Sequence, residues 1–84
     1  MSTLEERAIA IIAEQLRVDV NQVTPASHLI DDLRADSLDV VDLAIALEEE
    51  FGSADHPLEI TDEVAAELRT VQDILDFLRA QGLS

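Results

Sequence analysis

A hydroxyl flanked by carboxylates is the most reactive-looking group in this chain. Asp36-Ser37-Leu38-Asp39 stands where apolar residues begin to recur at helical spacing. Asp36 with Asp39 has the spacing of a helix cap, which puts Ser37 in the first turn. A serine there is commonly structural. The position would also suit a phosphate diester, because free backbone N–H groups and the positive end of the helix dipole meet at a helix start. Asp36 and Asp39 would oppose such a group by like charge. Residue chemistry alone leaves both readings of Ser37 open.

Other constellations carry less. Asp31, Asp32, Asp36 and Asp39 resemble a calcium cluster, but counting from Asp31 an EF-hand loop needs a third-position acid and a sixth-position glycine. Leu33 and Asp36 occupy those places. His28 and His56 fall in turn-rich segments with no cysteine nearby, so solvent exposure is expected rather than metal ligation. Ser37 with His28 as nucleophile and base would also need an oxyanion hole and a pocket, for which 84 residues leave little room.

The elements that must hold Ser37 can be read from the apolar pattern. Ser2 with Glu5, or equally Thr3 with Glu6, has the spacing of a capping box opening a helix over about 3–17. Leu4, Ala8, Ile11, Ile12 and Leu16 form its stripe. Residues 18–35 read as a long connection, with Asn21, Thr24-Pro25 and Ser27 as turn formers and Leu29, Ile30 and Leu33 expected to pin it to the core. A second helix is expected from Asp36 to Phe51, closed by Gly52. The run Gly52-Ser53-Ala54-Asp55-His56-Pro57 is a second loop. Thr61-Asp62-Glu63 caps a short third helix through Leu68, and Thr70 with Asp73 opens a last helix ended by Gly82. The predicted fold is all-α: a four-helix bundle with three longer helices, a short third helix and a long first loop, as one domain over 1–84.

The second helix carries more apolar surface than a small bundle needs. At about 100° per residue, Val40, Leu43, Ala44, Leu47 and Phe51 share one face. Leu38, Val41 and Ile45 form another, with Asp42 and Glu49 on one side and Glu48 on the other. An apolar strip within charge is the anatomy of a docking surface. A strip packed beneath the long loop would read the same way.

Composition narrows the function classes. Hydrophobic residues make up 48% of the chain, too many for a disordered acidic tail. Phe51 and Phe77 are its only aromatic residues, so Leu, Ile, Val and Ala must build the core. Nineteen acidic residues against five basic ones give a net charge of −14, which argues against nucleic acid or anionic membranes and for partners with basic patches. No apolar run is long enough for membrane insertion. Met1–Glu5 shows no secretory pattern, so the cytoplasm is expected. Cysteine is absent, and any thiol chemistry must use an imported sulfur.

The run from Asp31 through Leu43, Asp-Asp-Leu-Arg-Ala-Asp-Ser-Leu-Asp-Val-Val-Asp-Leu, closely resembles the attachment motif of the acyl carrier proteins. Ala46-Leu47-Glu48-Glu49-Glu50-Phe51 continues the likeness. So do Thr3-Leu4-Glu5-Glu6-Arg7, Ile11-Ile12, Glu14-Gln15-Leu16 and Val18, and Thr70-Val71-Gln72 near the end. The resemblance implies a carrier without catalysis of its own. A transferase would load phosphopantetheine onto Ser37, and Asp36 would be associated with that transferase's metal ion. The arm's thiol would carry acyl groups between synthase enzymes, which the resemblance places in fatty acid synthesis. Leu38, Asp39, Val41, Asp42, Ile45, Glu48 and Glu49 would meet partners bearing basic docking patches, and the inward residues Leu47, Phe51, Ile74 and Leu75 would shelter the acyl chain. A monomer is expected. Alternatives are a dedicated carrier for a polyketide, peptide or special-lipid pathway, or an unmodified acidic interaction protein. Two departures from the family are Arg34, where glycine is frequent, and a loop Gly52–Glu59 a few residues longer than in fatty-acid carriers.

Overall fold

Capping chemistry sets the boundaries of every helix in the computed structural model, which describes residues 3–83. Helix α1 spans Leu4–Leu16, α2 Ser37–Phe51, α3 Asp62–Glu67 and α4 Val71–Ala80, and no strand forms among the described residues. Thr3 accepts from the Glu6 N–H at 3.1 Å and opens α1. The alternative cap at Ser2 lies outside the described residues. Asp36 with Asp39, and Thr70 with Asp73, form reciprocal capping boxes at α2 and α4. Thr61 caps α3 through the Val64 N–H at 3.2 Å. Each cap satisfies a backbone donor that the helix itself cannot.

Helix α1 packs chiefly against α2 and α4, and α3 lies on α2. Ile12, Leu43, Leu47, Val71, Ile74, Leu75 and Leu78 are almost wholly buried between them. One end of this core is closed by Arg7, whose guanidinium lies 4.7 Å from the Phe51 ring centroid and 3.5 Å from Glu50.

The first connection is more ordered than its sequence implies. It contains a 3-10 turn, Val20–Gln22, capped by Asp19. Ser27 is buried, its hydroxyl 2.9 Å from that of Thr24 and also taking the Thr24 N–H at 3.1 Å. Backbone bonds then stitch the loop to the start of α4: Leu29 N–H to the Arg69 carbonyl at 2.9 Å, Val71 N–H to Ser27 at 3.0 Å, and Gln72 N–H to Pro25 at 2.9 Å. Leu29 and Leu33 are buried as expected. Ile30 is not: 59% of it is exposed. The stitch places Leu29 in the core, and the tight turn that follows carries Ile30 to the outside.

That turn ends at Arg34, whose φ of 60° is in the left-handed region. The reversal lets the Ala35 N–H reach the Leu29 carbonyl at 2.8 Å and delivers the chain to Asp36. A left-handed L-residue is strained by roughly 1–2 kcal/mol, which explains why glycine suits this place.

The second loop is anchored as well. Leu58 and Ile60 are buried, and the Ile60 N–H donates to Glu48 Oε2 at 2.8 Å. Gly52 permits that approach through space rather than φ. A Cβ there would lie 2.5 Å from the Glu48 carbonyl oxygen and 3.0 Å from the Leu58 nitrogen.

The two sites make opposite predictions for stability. Gly52→Ala should destabilise by roughly 1–3 kcal/mol, because both clashing atoms are backbone. Arg34→Gly should stabilise by about 0.5–1 kcal/mol, strain relief being partly offset by a freer unfolded chain. For a protein of this size, thermal melting should fall by several degrees in the first variant and rise by a few in the second. Equal melting temperatures would contradict both assignments.

Candidate functional site

Ser37 is the first residue of α2, and its side chain is exposed. The capping box fixes its surroundings: Asp36 Oδ1 accepts from the Asp39 N–H at 2.8 Å, and Asp39 Oδ2 accepts from the Asp36 N–H at 3.1 Å. Each carboxylate therefore has one oxygen committed to the backbone, and the other makes no hydrogen bond among the described residues. The Ser37 and Leu38 N–H groups have no intrahelical acceptor at this end of the helix. A hydroxyl held here is presented outward on a rigid base.

Beside it opens a cleft of about 570 Å³, walled by α2, α3 and the turn in the second half of the first loop. Val40 and Val41 line it from α2, Ala65 and Ala66 from α3, and Leu29 and Leu68 at its floor. His28, Asp31, Asp62 and Arg69 add polar groups. The walls are mainly apolar, so the cleft suits a narrow chain with a polar end near Ser37.

A second void lies deeper and holds only about 10 Å³. That is room for a single water at most. Leu29, Val40, Ala65 and Leu68 line both spaces, so they form the partition. Of the four inward residues singled out from sequence, Leu47 and Ile74 line this void. Phe51 and Leu75 are buried but do not line it; Phe51 lies instead beneath Arg7. Leu43, Ala44, Ala65 and Leu68 complete the lining. Helical periodicity marked Leu43, Ala44 and Leu47 as core without showing which flank of the core was incompletely filled, and it gave no sign of Ala65 or Leu68.

The outer stripe of α2 stands as its spacing predicts. Leu38 is 74% exposed, Val41 42% and Ile45 49%. Asp42 and Glu49 are exposed beside them, and Asp39 is half-buried through its cap. Glu48 differs from its neighbours. It is half-buried, with one oxygen engaged by Ile60. Ile30 joins the exposed apolar surface from the opposite side of the cleft mouth. His28 and His56 are exposed, and no group of acids and histidines able to hold a metal ion occurs among the described residues.

Residues 6–78 match the family described as "Phosphopantetheine attachment site". Over 77 residues, the chain is 52% identical to the acyl carrier protein of Thermosynechococcus vestitus, which covers 92% of this chain and 89% of that protein. The chain therefore belongs to the acyl carrier protein family: it is a phosphopantetheine-bearing carrier that serves transferase and synthase enzymes and is not itself an enzyme.

Proposed function

We propose that this protein carries acyl groups through fatty acid synthesis on a phosphopantetheine arm attached to Ser37, docking its partner enzymes on α2. The observation that carries the reading is an exposed serine at a helix start, opening onto an apolar cleft and bordered by an apolar strip. The residues fit the group. Ser37 Oγ is accessible for a phosphodiester, and the adjacent unpaired N–H groups can share its charge. Asp36 keeps one oxygen free to meet the metal ion of a loading transferase. The arm supplies a thiol, the nucleophile that a cysteine-free chain lacks.

The remaining chemistry is binding. Leu38, Val41 and Ile45 offer apolar contact, while Asp39, Asp42 and Glu49 attract a basic patch and orient its approach. The cytoplasmic setting and monomeric state belong to this proposal. A dedicated carrier for another pathway is the second reading, favoured by Arg34. Its cation stands three residues before Ser37 in a strained conformation that glycine would relax, and it interrupts an acidic approach.

Loading tests the central claim. Incubation with coenzyme A and a phosphopantetheinyl transferase should add the mass of one phosphopantetheine to the wild type and none to Ser37→Ala. Modification of Ser27 would be unexpected in any case, since its hydroxyl is buried and hydrogen-bonded.

Charge reversal tests the docking face. Asp42→Lys should slow loading or acyl transfer roughly tenfold and flatten its dependence on salt. Circular dichroism should remain helical, because Asp42 is exposed and makes no hydrogen bond or ion pair among the described residues. Transfer at the wild-type rate would remove this surface from the partner interface.

Cargo should enter from the outer cleft and expand the inner void, since shielding each CH₂ from water is worth about 0.8 kcal/mol. NMR signals of Leu47, Ile74, Val40 and Leu68 should therefore shift on acylation more than those of Phe51 and Leu75. Shifts confined to residues around Ser37 would mean that the cargo stays outside.

A further inference from the structure

Glu48 joins the two faces of the molecule that the proposed function needs. Its carboxylate belongs to the helix read as the docking surface, yet Oε2 accepts the Ile60 N–H at 2.8 Å, twelve residues away. Ile60 is buried and directly precedes Thr61, the N-cap of α3. Holding Ile60 thus fixes where α3 begins.

Helix α3 needs such an anchor. It has six residues, too few to be stable from its own hydrogen bonds. Its main packing partner is α2. It also supplies Asp62, Ala65 and Ala66 to the cleft at Ser37, with Leu68 just beyond its end. Ala65 and Leu68 belong to the partition over the inner void as well. A bond at the foot of α3 therefore bears on whether that wall stays closed.

The acceptor is exchangeable. A carboxylate bonds an ammonium or guanidinium more strongly than a neutral amide N–H, and Glu48 is only half-buried. With nineteen acids and five bases, the chain draws cationic surfaces towards it.

We infer that Glu48 is a positioning residue: it holds α3 closed over the cargo cleft, and a basic side chain of a docked acyl-transferring enzyme takes its carboxylate, freeing Ile60 and loosening α3. The inference rests on the docking reading given above. It makes cargo release a consequence of docking, carried by one hydrogen bond.

The test uses acyl-loaded carrier, alone and with a saturating condensing synthase whose active-site nucleophile has been replaced. Two quantities are read: hydrogen exchange at the Ile60 amide, and thioester cleavage by hydroxylamine. Alone, Glu48→Ala should exchange Ile60 roughly tenfold faster than wild type, and its thioester should be cleaved severalfold faster. Glu48→Gln keeps an acceptor oxygen and should protect Ile60 better than Glu48→Ala does. Adding the synthase should speed Ile60 exchange in the wild type and leave it unchanged in Glu48→Gln, a difference that a purely structural Glu48 would not produce.

Wild-type exchange and cleavage rates in Glu48→Ala would overturn the proposal. So would a wild-type complex in which Ile60 stays as protected as in the free carrier. Asp42→Lys separates the two readings. Weakened binding of this variant, with an unmoved Ile60 amide in the wild-type complex, overturns the Glu48 proposal and leaves docking on α2 intact. Undiminished binding means that the synthase does not dock there, and the partner half of the proposal falls with the docking reading.

Discussion

Three backbone hydrogen bonds between the first loop and the start of α4 determine where Ser37 stands. The Ser27 and Pro25 carbonyls accept from Val71 and Gln72, while the Leu29 N–H donates to Arg69. Without them, residues 18–35 would be a long tether between two helices, and no cap could aim the second one. With them, Leu29 is fixed in the core, and its carbonyl in turn receives the Ala35 N–H two residues before Ser37. Ser37 is thus registered against α4, a helix that supplies no residue to the outer cleft beside it. This makes the loop a structural member, and it explains the buried Ser27 with its hydroxyl satisfied on both sides.

Charge is managed under the same constraint of a small core. A net charge of −14 opposes compaction, and Arg7–Glu50 is the single ion pair among the described residues. Several acids are instead turned to backbone work. Asp19, Asp36, Asp39 and Asp73 accept N–H groups at the starts of helical segments, where a negative charge also opposes the helix dipole favourably. Asp32 accepts the His28 N–H, and Glu48 accepts that of Ile60. What remains outward is an acidic field around Leu38, Val41 and Ile45. An outward acidic field and self-repulsion within the fold are therefore two sides of one composition.

Much of this was legible in the sequence. Caps at Ser2 or Thr3, and at Asp36, Thr61 and Thr70, together with apolar periodicity, place all four helices within a residue or two of their observed ends. The outward stripe of α2 follows from the same wheel, because a helix of fifteen residues samples its faces several times. Short pieces escaped. The 3-10 turn Val20–Gln22 and the turn leading to Arg34 are too brief to have a period, and Ile30 could not be told from Leu29 by hydrophobicity. Glu48 looked like its exposed neighbours because its partner is a backbone N–H, which leaves no mark on sequence. The void was equally invisible: periodicity identifies a core face, whereas a packing gap depends on how three elements meet.

That gap sits where the structure is least reinforced. Its lining comes from α2, α4, Leu29 and the α3 region, and of these only α3 is both short and packed chiefly on a single neighbour. Enlarging the void by moving α1 or α4 would break the main core, where Ile12, Ile74 and Leu78 are wholly enclosed. Displacing α3 disturbs Ala65, Leu68 and the Ile60 anchor, and it leaves the α1–α2–α4 packing untouched. Small side chains on α3 lower the cost of that movement, since an alanine exposes less apolar surface on separation than a leucine would. A rigid core of three helices and a lightly held fourth therefore follow from how apolar volume is distributed. The proposed cargo site falls on the boundary between them, because only there can a chain be admitted without unfolding its carrier.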